Sequence, residues 1–317
     1  MGVMPLSTED RVLVLGASGY VGHRLVLELV RKKIKLRLMI RDLADIPRAV
    51  PREGDVEVVR GDALEMVGLE RALQGIHTAY YLIHGVDTRS FVRRRVADEK
   101  DTQAAANFNR AAEPTGLQRI IYLGASGQDG SELSDQGNNG SSVAAILASG
   151  RAPVTSLWAS MIVGAGAASF EMLRGLAERL PVMGYPKWID ASIRPIAIDD
   201  VMAYLLQCLF RPETAGRSFE IGGPEVLSYR DMVQQYAEVR KLPARLIVRR
   251  PFGASRAEGV PPAASGAAPS VAEGLTPEDE VRPKGIEEVI PVELTPFKKA
   301  VALALAAENN GSESGES

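Results

Sequence analysis

The residues most able to do chemistry are Gly16-Ala17-Ser18-Gly19-Tyr20-Val21-Gly22. They stand between a short apolar run, Arg11 to Leu15, and a helical pattern over Val21 to Lys32. The first backbone N–H groups of a helix lack intrahelical acceptors, and the helix dipole makes that end positive. A glycine-rich turn from strand into helix lets a pyrophosphate lie directly on those groups. Gly16 allows the tight turn, Gly19 keeps a side chain off the phosphates, and Gly22 lets the helix approach the sheet. The turn therefore predicts a dinucleotide site built from Gly16, Ser18, Gly19, Tyr20, Val21 and Gly22.

Arg41 ends the second apolar run, about 20 residues past the turn. An acid there would hold the ribose 2′-hydroxyl of NAD, whereas an arginine suits the 2′-phosphate of NADP through forked, charge-assisted hydrogen bonds. The reading favours NADP(H) over NAD(H), with a plain surface charge as the alternative, since Asp42 follows at once. Arg24 either adds to the phosphate site or is solvated. Asp62 either faces the adenine amino group or closes a turn and caps a helix. Leu82, Ile83 and His84 end another run, where an open α/β sheet lines its ligand crevice. His84 is the better titratable candidate of the three histidines, against a structural or merely exposed role. Asn107 reads as a bond to neighbouring backbone across a sheet–helix contact.

These positions need a scaffold. The pattern predicts strands at 11–15, 35–40, 56–60, 78–83 and 119–123, with helices at 21–32, 69–73 and 98–112 between them. Further on it predicts a weak helix at 142–148, one strand within 154–163, and a helix at 170–180. A strand at 196–198, a helix from Asp199-Asp200 to about Phe210 and a strand at 218–221 follow. Ser228 is read as an N-cap, and Thr295-Pro296 as the start of a last helix through Ala307. Strand–helix repetition demands right-handed crossovers and gives an α/β, doubly wound parallel sheet, a Rossmann fold. The expected divisions are a dinucleotide-binding core at 1–164, remaining core strands and a small substrate lobe at 165–250, a low-complexity linker at 251–286, and a helix with a disordered tail at 287–317.

Composition narrows the partners. The chain has 317 residues, a net charge of −3 and 45% hydrophobic residues. Its near-balanced charge argues against nucleic acid or an anionic membrane as main partner. The basic clusters at 31–33, 93–95 and 249–250 read as solvated surface. One cysteine, Cys208, leaves no disulfide framework and reads as a buried inert thiol. Scattered histidines give no metal site. No leader, lipidation signal or membrane span is legible, so the expectation is a soluble, cytoplasmic protein.

Val14 to Gly22, Ile40-Arg41-Asp42, Gly61-Asp62, Tyr80 to His84, Ala106-Asn107-Phe108 and Ile121 to Gly124 together resemble the atypical short-chain dehydrogenase/reductase superfamily, in its NmrA-like and extended-type NAD(P)-binding branch. Ser169 to Leu173, Leu180 to Met183, Pro195 to Val201 and Glu220 to Pro224 continue the match, which spans residues 8–250. The resemblance implies a Rossmann core, a smaller C-terminal lobe, a dinucleotide at the glycine turn and a small-molecule substrate between core and lobe. Ser126 fits the serine that this superfamily places after its fifth strand. The usual Tyr-x-x-x-Lys pair has no counterpart, because residues 131–152 contain neither Tyr nor Lys. Trp158 stands where an arginine is common. Two functions follow as expectations. One is an NADPH-dependent reductase of a small carbonyl, enone or quinone, with Ser126 and His84 as catalytic candidates. The other is a non-catalytic NADP(H)-binding sensor or scaffold.

Overall fold

The computed structural model describes residues 3–46, 55–83, 91–126, 143–179, 182–185, 191–242, 246–249 and 285–313. His84 lies outside them, as does most of the segment read as a linker. The first half contains β1 (Arg11–Leu15), α1 (Tyr20–Arg31), β2 (Lys35–Ile40), β3 (Val56–Arg60), α2 (Met66–Leu73), β4 (Ile76–Tyr81), α3 (Phe91–Ala112), β5 (Arg119–Ala125), α4 (Val143–Ala148) and β6 (Val154–Ala159). The second contains β7 (Met161–Val163), α5 (Ala168–Arg179), β8 (Val182–Tyr185), β9 (Ser192–Ile193), β10 (Pro195–Ala197), α6 (Ile198–Phe210), β11 (Ser218–Ile221), β12 (Leu227–Ser228), α7 (Tyr229–Val239), β13 (Leu246–Arg249) and α8 (Phe297–Glu313).

Seven strands form one parallel sheet in the order β11-β6-β5-β4-β1-β2-β3. The chain starts in the middle, winds to one edge and returns to wind to the other. This is the doubly wound α/β architecture, with its topological switch between β1 and β4. Both faces are covered, as parallel sheets require. Alternation along β1 shows the division: Val12 and Val14 pack beneath α1 and α6, while Leu13 and Leu15 pack beneath α2, α3 and α4. A third apolar cluster joins α5, α7 and α8 to β7 and β10. Phe170, Leu173, Met232, Tyr236 and Val301 are all fully buried in it.

Several elements differ from the sequence expectation. The run 154–163 is two strands, not one. The chain leaves the large sheet at Ser160, whose hydroxyl donates to the Arg194 carbonyl at 2.9 Å, and β7 then pairs with β10. Ile286, assigned to the linker, is fully buried against α6 and β11 residues. The last helix reaches Glu313, so part of the expected tail is helical. Thr295 does not cap it. Its hydroxyl and N–H both donate to Asp200 of α6, at 3.0 and 2.8 Å. The Phe297 N–H is instead taken by the Glu225 carboxylate at 2.5 Å. Ser228 does cap α7, in a reciprocal capping box with Asp231.

Arg119 fixes the far end of the sheet. It is 1% exposed, at the start of β5. Its guanidinium donates to the Cys208 and Arg211 carbonyls at 2.5 and 3.1 Å and to the hydroxyls of Thr155 and Thr214. The carbonyls closing α6, which also accept the Arg211 and Thr214 N–H groups, thus receive a cation, as the helix dipole favours. Burial pushes the neighbouring Cys208 thiol up to about 11, in keeping with an inert thiol.

Candidate dinucleotide site

The glycine turn lies at the carboxyl end of β1, beside the switch point. Gly16 has φ +84°, and a Cβ on it would stand 2.5 Å from the Leu82 carbonyl oxygen. A Cβ on Gly22 would stand 2.0 Å from the Gly16 carbonyl oxygen. Neither position admits a larger residue without moving backbone. The Gly19 N–H closes the turn onto the Gly16 carbonyl at 3.0 Å, and the His23 N–H begins the helical ladder on Gly19 at 2.8 Å. Gly19 is the N-cap and brings no side-chain cap, and the first turn of α1 holds no acid. The N–H groups of Tyr20, Val21 and Gly22 therefore have no acceptor among the described residues. Ser18 and Gly19 stand exposed at the tip. Three unclaimed donors at a positive helix end, with Cβ-free backbone around them, fit a pyrophosphate.

The Tyr20 side chain turns away from the tip. Its hydroxyl lies close to Gly164, where a Cβ would approach it to 2.2 Å, and it has no hydrogen-bond partner among the described residues. Burial pushes this phenol up to about 12; Arg24 opposes that shift, and Asp199 and Glu171 add to it. The Arg24 guanidinium stacks 4.1 Å above the Tyr20 ring and donates to the Ala165 carbonyl at 3.2 Å. Arg24 is half-buried and committed in part to the loop at Ala165. It ties α1 to the loop leading into α5.

At the ends of β2 and β3 the picture is different. Arg41 is exposed, and no carboxylate pairs with it among the described residues. The Asp42 carboxylate accepts the Ala44 N–H at 3.0 Å and caps a short 3-10 turn, Leu43–Asp45. One Asp62 oxygen accepts the Leu64 N–H at 2.9 Å, so Asp62 holds a turn after β3. Asn107 is buried and supports that turn, donating to the Leu64 and Ala63 carbonyls at 3.0 and 3.3 Å while accepting from Gln103 at 2.8 Å. This is the backbone bond its position suggested. Arg60, which the sequence reading passed over, sends its Nε to the Arg41 carbonyl at 3.4 Å. Nothing in its local sequence marks it; only the parallel register places it beside Ile40.

On the other side of the switch point, the Leu82 N–H donates to the Leu15 carbonyl at 3.1 Å and leads the chain across the turn. Ser126 leaves the end of β5, where its N–H donates to the Ala159 carbonyl at 3.0 Å. Trp158 packs against Tyr122 with ring centroids 5.7 Å apart and donates its indole N–H to Ser218 at 2.7 Å. It fills space beneath the strand ends as an apolar spacer. The structure thus collects the glycine turn, Arg41, Asp62, Leu82 and Ser126 along the carboxyl ends of neighbouring strands. No group of three or more His, Cys, Asp or Glu that could hold a metal occurs among the described residues. No helix of the described residues is long and apolar enough to cross a membrane.

Comparison with known proteins agrees with this geometry. A family model described as NAD(P)H-binding matches residues 16–153. A 3β-hydroxysteroid dehydrogenase/Δ5→4-isomerase of Mycobacterium tuberculosis is 30% identical over 129 residues, which are 38% of this chain and 34% of that protein. The alignment therefore spans about a third of that relative's length. Among solved structures, the Bordetella bronchiseptica enzyme WbmG in complex with NAD and UDP is similar, with a TM-score of 0.66 and 16% identity, over 95% of each chain. An epimerase of Methanothermobacter thermautotrophicus gives a TM-score of 0.68 at 14% identity, over 96% of this chain and 93% of that one. Residues 16–153 thus resemble an NAD(P)H-binding domain, and the strand order and the glycine turn agree with that likeness.

Proposed function

We propose that the protein is an NADP(H)-dependent reductase of a small carbonyl, enone or quinone compound. The observation that carries this reading is the start of α1, where three successive N–H groups have no acceptor among the described residues, after a turn whose Gly16 and Gly22 admit no side chain. The amides of Tyr20, Val21 and Gly22 would hold the pyrophosphate, and Arg41 the 2′-phosphate. Bound NADPH supplies a hydride. The part left to the protein is to orient substrate and stabilise charge on its oxygen. Ser126, whose N–H bonds the Ala159 carbonyl at the end of β5, would donate its hydroxyl to that oxygen. We read the protein as soluble and cytoplasmic, with a small molecule rather than nucleic acid or membrane as its partner.

A second reading is a non-catalytic NADP(H)-binding sensor or scaffold of the NmrA-like kind. The lack of any Tyr or Lys in residues 131–152 favours it, because that region would hold the usual proton-relay pair. One assay separates the two. Purified protein is mixed with NADPH and a panel of aldehydes, ketones, enones and quinones, and cofactor absorbance is followed. The name of the mycobacterial relative adds a 3-ketosteroid to the panel. Substrate-dependent oxidation that falls at least tenfold in Ser126→Ala supports the reductase. Tight binding without turnover supports the sensor. No binding of either pyridine nucleotide overturns both.

A further inference from the structure

We propose that Arg60 is a second arm of the 2′-phosphate site, closing with Arg41 on the ribose phosphate of NADP(H); this rests on the NADP(H) reading above. β2 and β3 are parallel, and Ile40 lies opposite Arg60, so Arg41 and Arg60 stand one residue apart in register at the carboxyl ends of two neighbouring strands. The Arg60 side chain crosses from β3 towards β2, since its Nε donates to the Arg41 carbonyl at 3.4 Å. That bond uses one edge of the guanidinium and leaves the terminal nitrogens uncommitted.

Charge pairing on the same two strands supports the assignment. Near their other ends, Arg37 of β2 is neutralised by Glu57 of β3 at 2.7 Å, and Arg11 of β1 joins the same carboxylate at 2.5 Å. At the carboxyl ends both arginines are exposed, and neither has a carboxylate partner among the described residues. The nearby acids are occupied: Asp42 accepts from Ala44, and Asp62 from Leu64. Arg60 is therefore held against the Arg41 backbone, and one oxygen of each intervening acid accepts a backbone N–H. Two exposed arginines at adjoining strand ends suit a dianion bearing three acceptor oxygens. The phosphate of NADPH meets this description; the neutral 2′-hydroxyl of NADH does not.

The test is equilibrium binding of NADPH, NADH and 2′,5′-ADP to the full chain, followed by fluorescence or calorimetry, for wild type, Arg41→Gln, Arg60→Gln and Arg60→Lys. Thermal melts establish that each variant is folded. Arg60→Gln should weaken NADPH and 2′,5′-ADP about tenfold. It should leave NADH within about twofold, and Arg60→Lys should recover part of the loss. Equal weakening of NADPH and NADH by Arg60→Gln would make Arg60 a structural residue and overturn the proposal. So would an unchanged NADPH-to-NADH ratio in Arg60→Gln while Arg41→Gln collapses it; in that case the NADP(H) reading survives alone. A wild-type protein that binds NADH as tightly as NADPH would overturn both.

Discussion

The Tyr236 hydroxyl donates to Glu178 Oε1 at 2.6 Å and thereby joins α7 to α5. Arg174 and Arg240 reach the same carboxylate, each at 3.4 Å. Burial alone would raise the Glu178 carboxyl; the Tyr236 hydrogen bond and the two guanidiniums outweigh it and hold the group below its ordinary 4.5. A depressed carboxylate stabilises the fold above its unfolded pKa, and that contribution is lost as pH falls through the folded value. Tyr236→Phe should therefore cost about 1–2 kcal/mol at neutral pH. The difference from wild type should shrink progressively below the ordinary carboxyl value of 4.5. Urea melts across the acid range measure it, and a pH-independent difference would contradict the assignment.

Gly22→Ala places a methyl group where the Gly16 carbonyl already stands. The turn has to open, at about 1–3 kcal/mol of stability. The amides that converge on a pyrophosphate diverge with it. We expect the affinity for NADPH and for NADH to drop together, by at least tenfold. Titration by protein fluorescence reads this directly, and retained affinity would show that the dinucleotide lies elsewhere.

Arg119→Met removes a buried guanidinium from the end of the sheet opposite the glycine turn. The Cys208 and Arg211 carbonyls and the Thr155 and Thr214 hydroxyls lose their shared donor. Breaking such a buried network should cost about 3–5 kcal/mol in chemical denaturation. Dinucleotide affinity of the folded fraction should stay at the wild-type value, because no residue of the glycine turn touches this network.

Cys208 is fully buried next to that guanidinium, with its thiol pushed up to about 11. A disulfide reagent at neutral pH should leave it unmodified in the native protein and react promptly once urea unfolds the chain. Fast modification of the native state would show that α6 opens locally, away from the arrangement described above.

Much of the first crossover is legible without a structure, because every signal in it is local. The apolar run, the glycines and the amphipathic helix lie within 21 consecutive residues, Arg11 to Arg31, and β2, β3 and β11 begin and end where their apolar patterns do. What the sequence hides is non-local. Thr295-Pro296 carries a sound cap signal, yet Asp200, which lies 95 positions away in sequence, claims the threonine. Glu225 then supplies the missing acceptor for the helix. The same holds for Arg24, which looks like a phosphate ligand by spacing but is drawn to a carbonyl 141 positions on. Arg60 carries no motif at all; its interest comes from the register of two strands.

The buried segment at Ile286 and Ile290 closes the layer over α6, and Val301 fills the space between α5 and α7. Two of the three apolar clusters therefore draw on residues made after the glycine turn, the sheet and α7 have all been synthesised. A chain cut before Ile286 would therefore leave α6 partly uncovered and the space between α5 and α7 unfilled, and should be less stable than the whole.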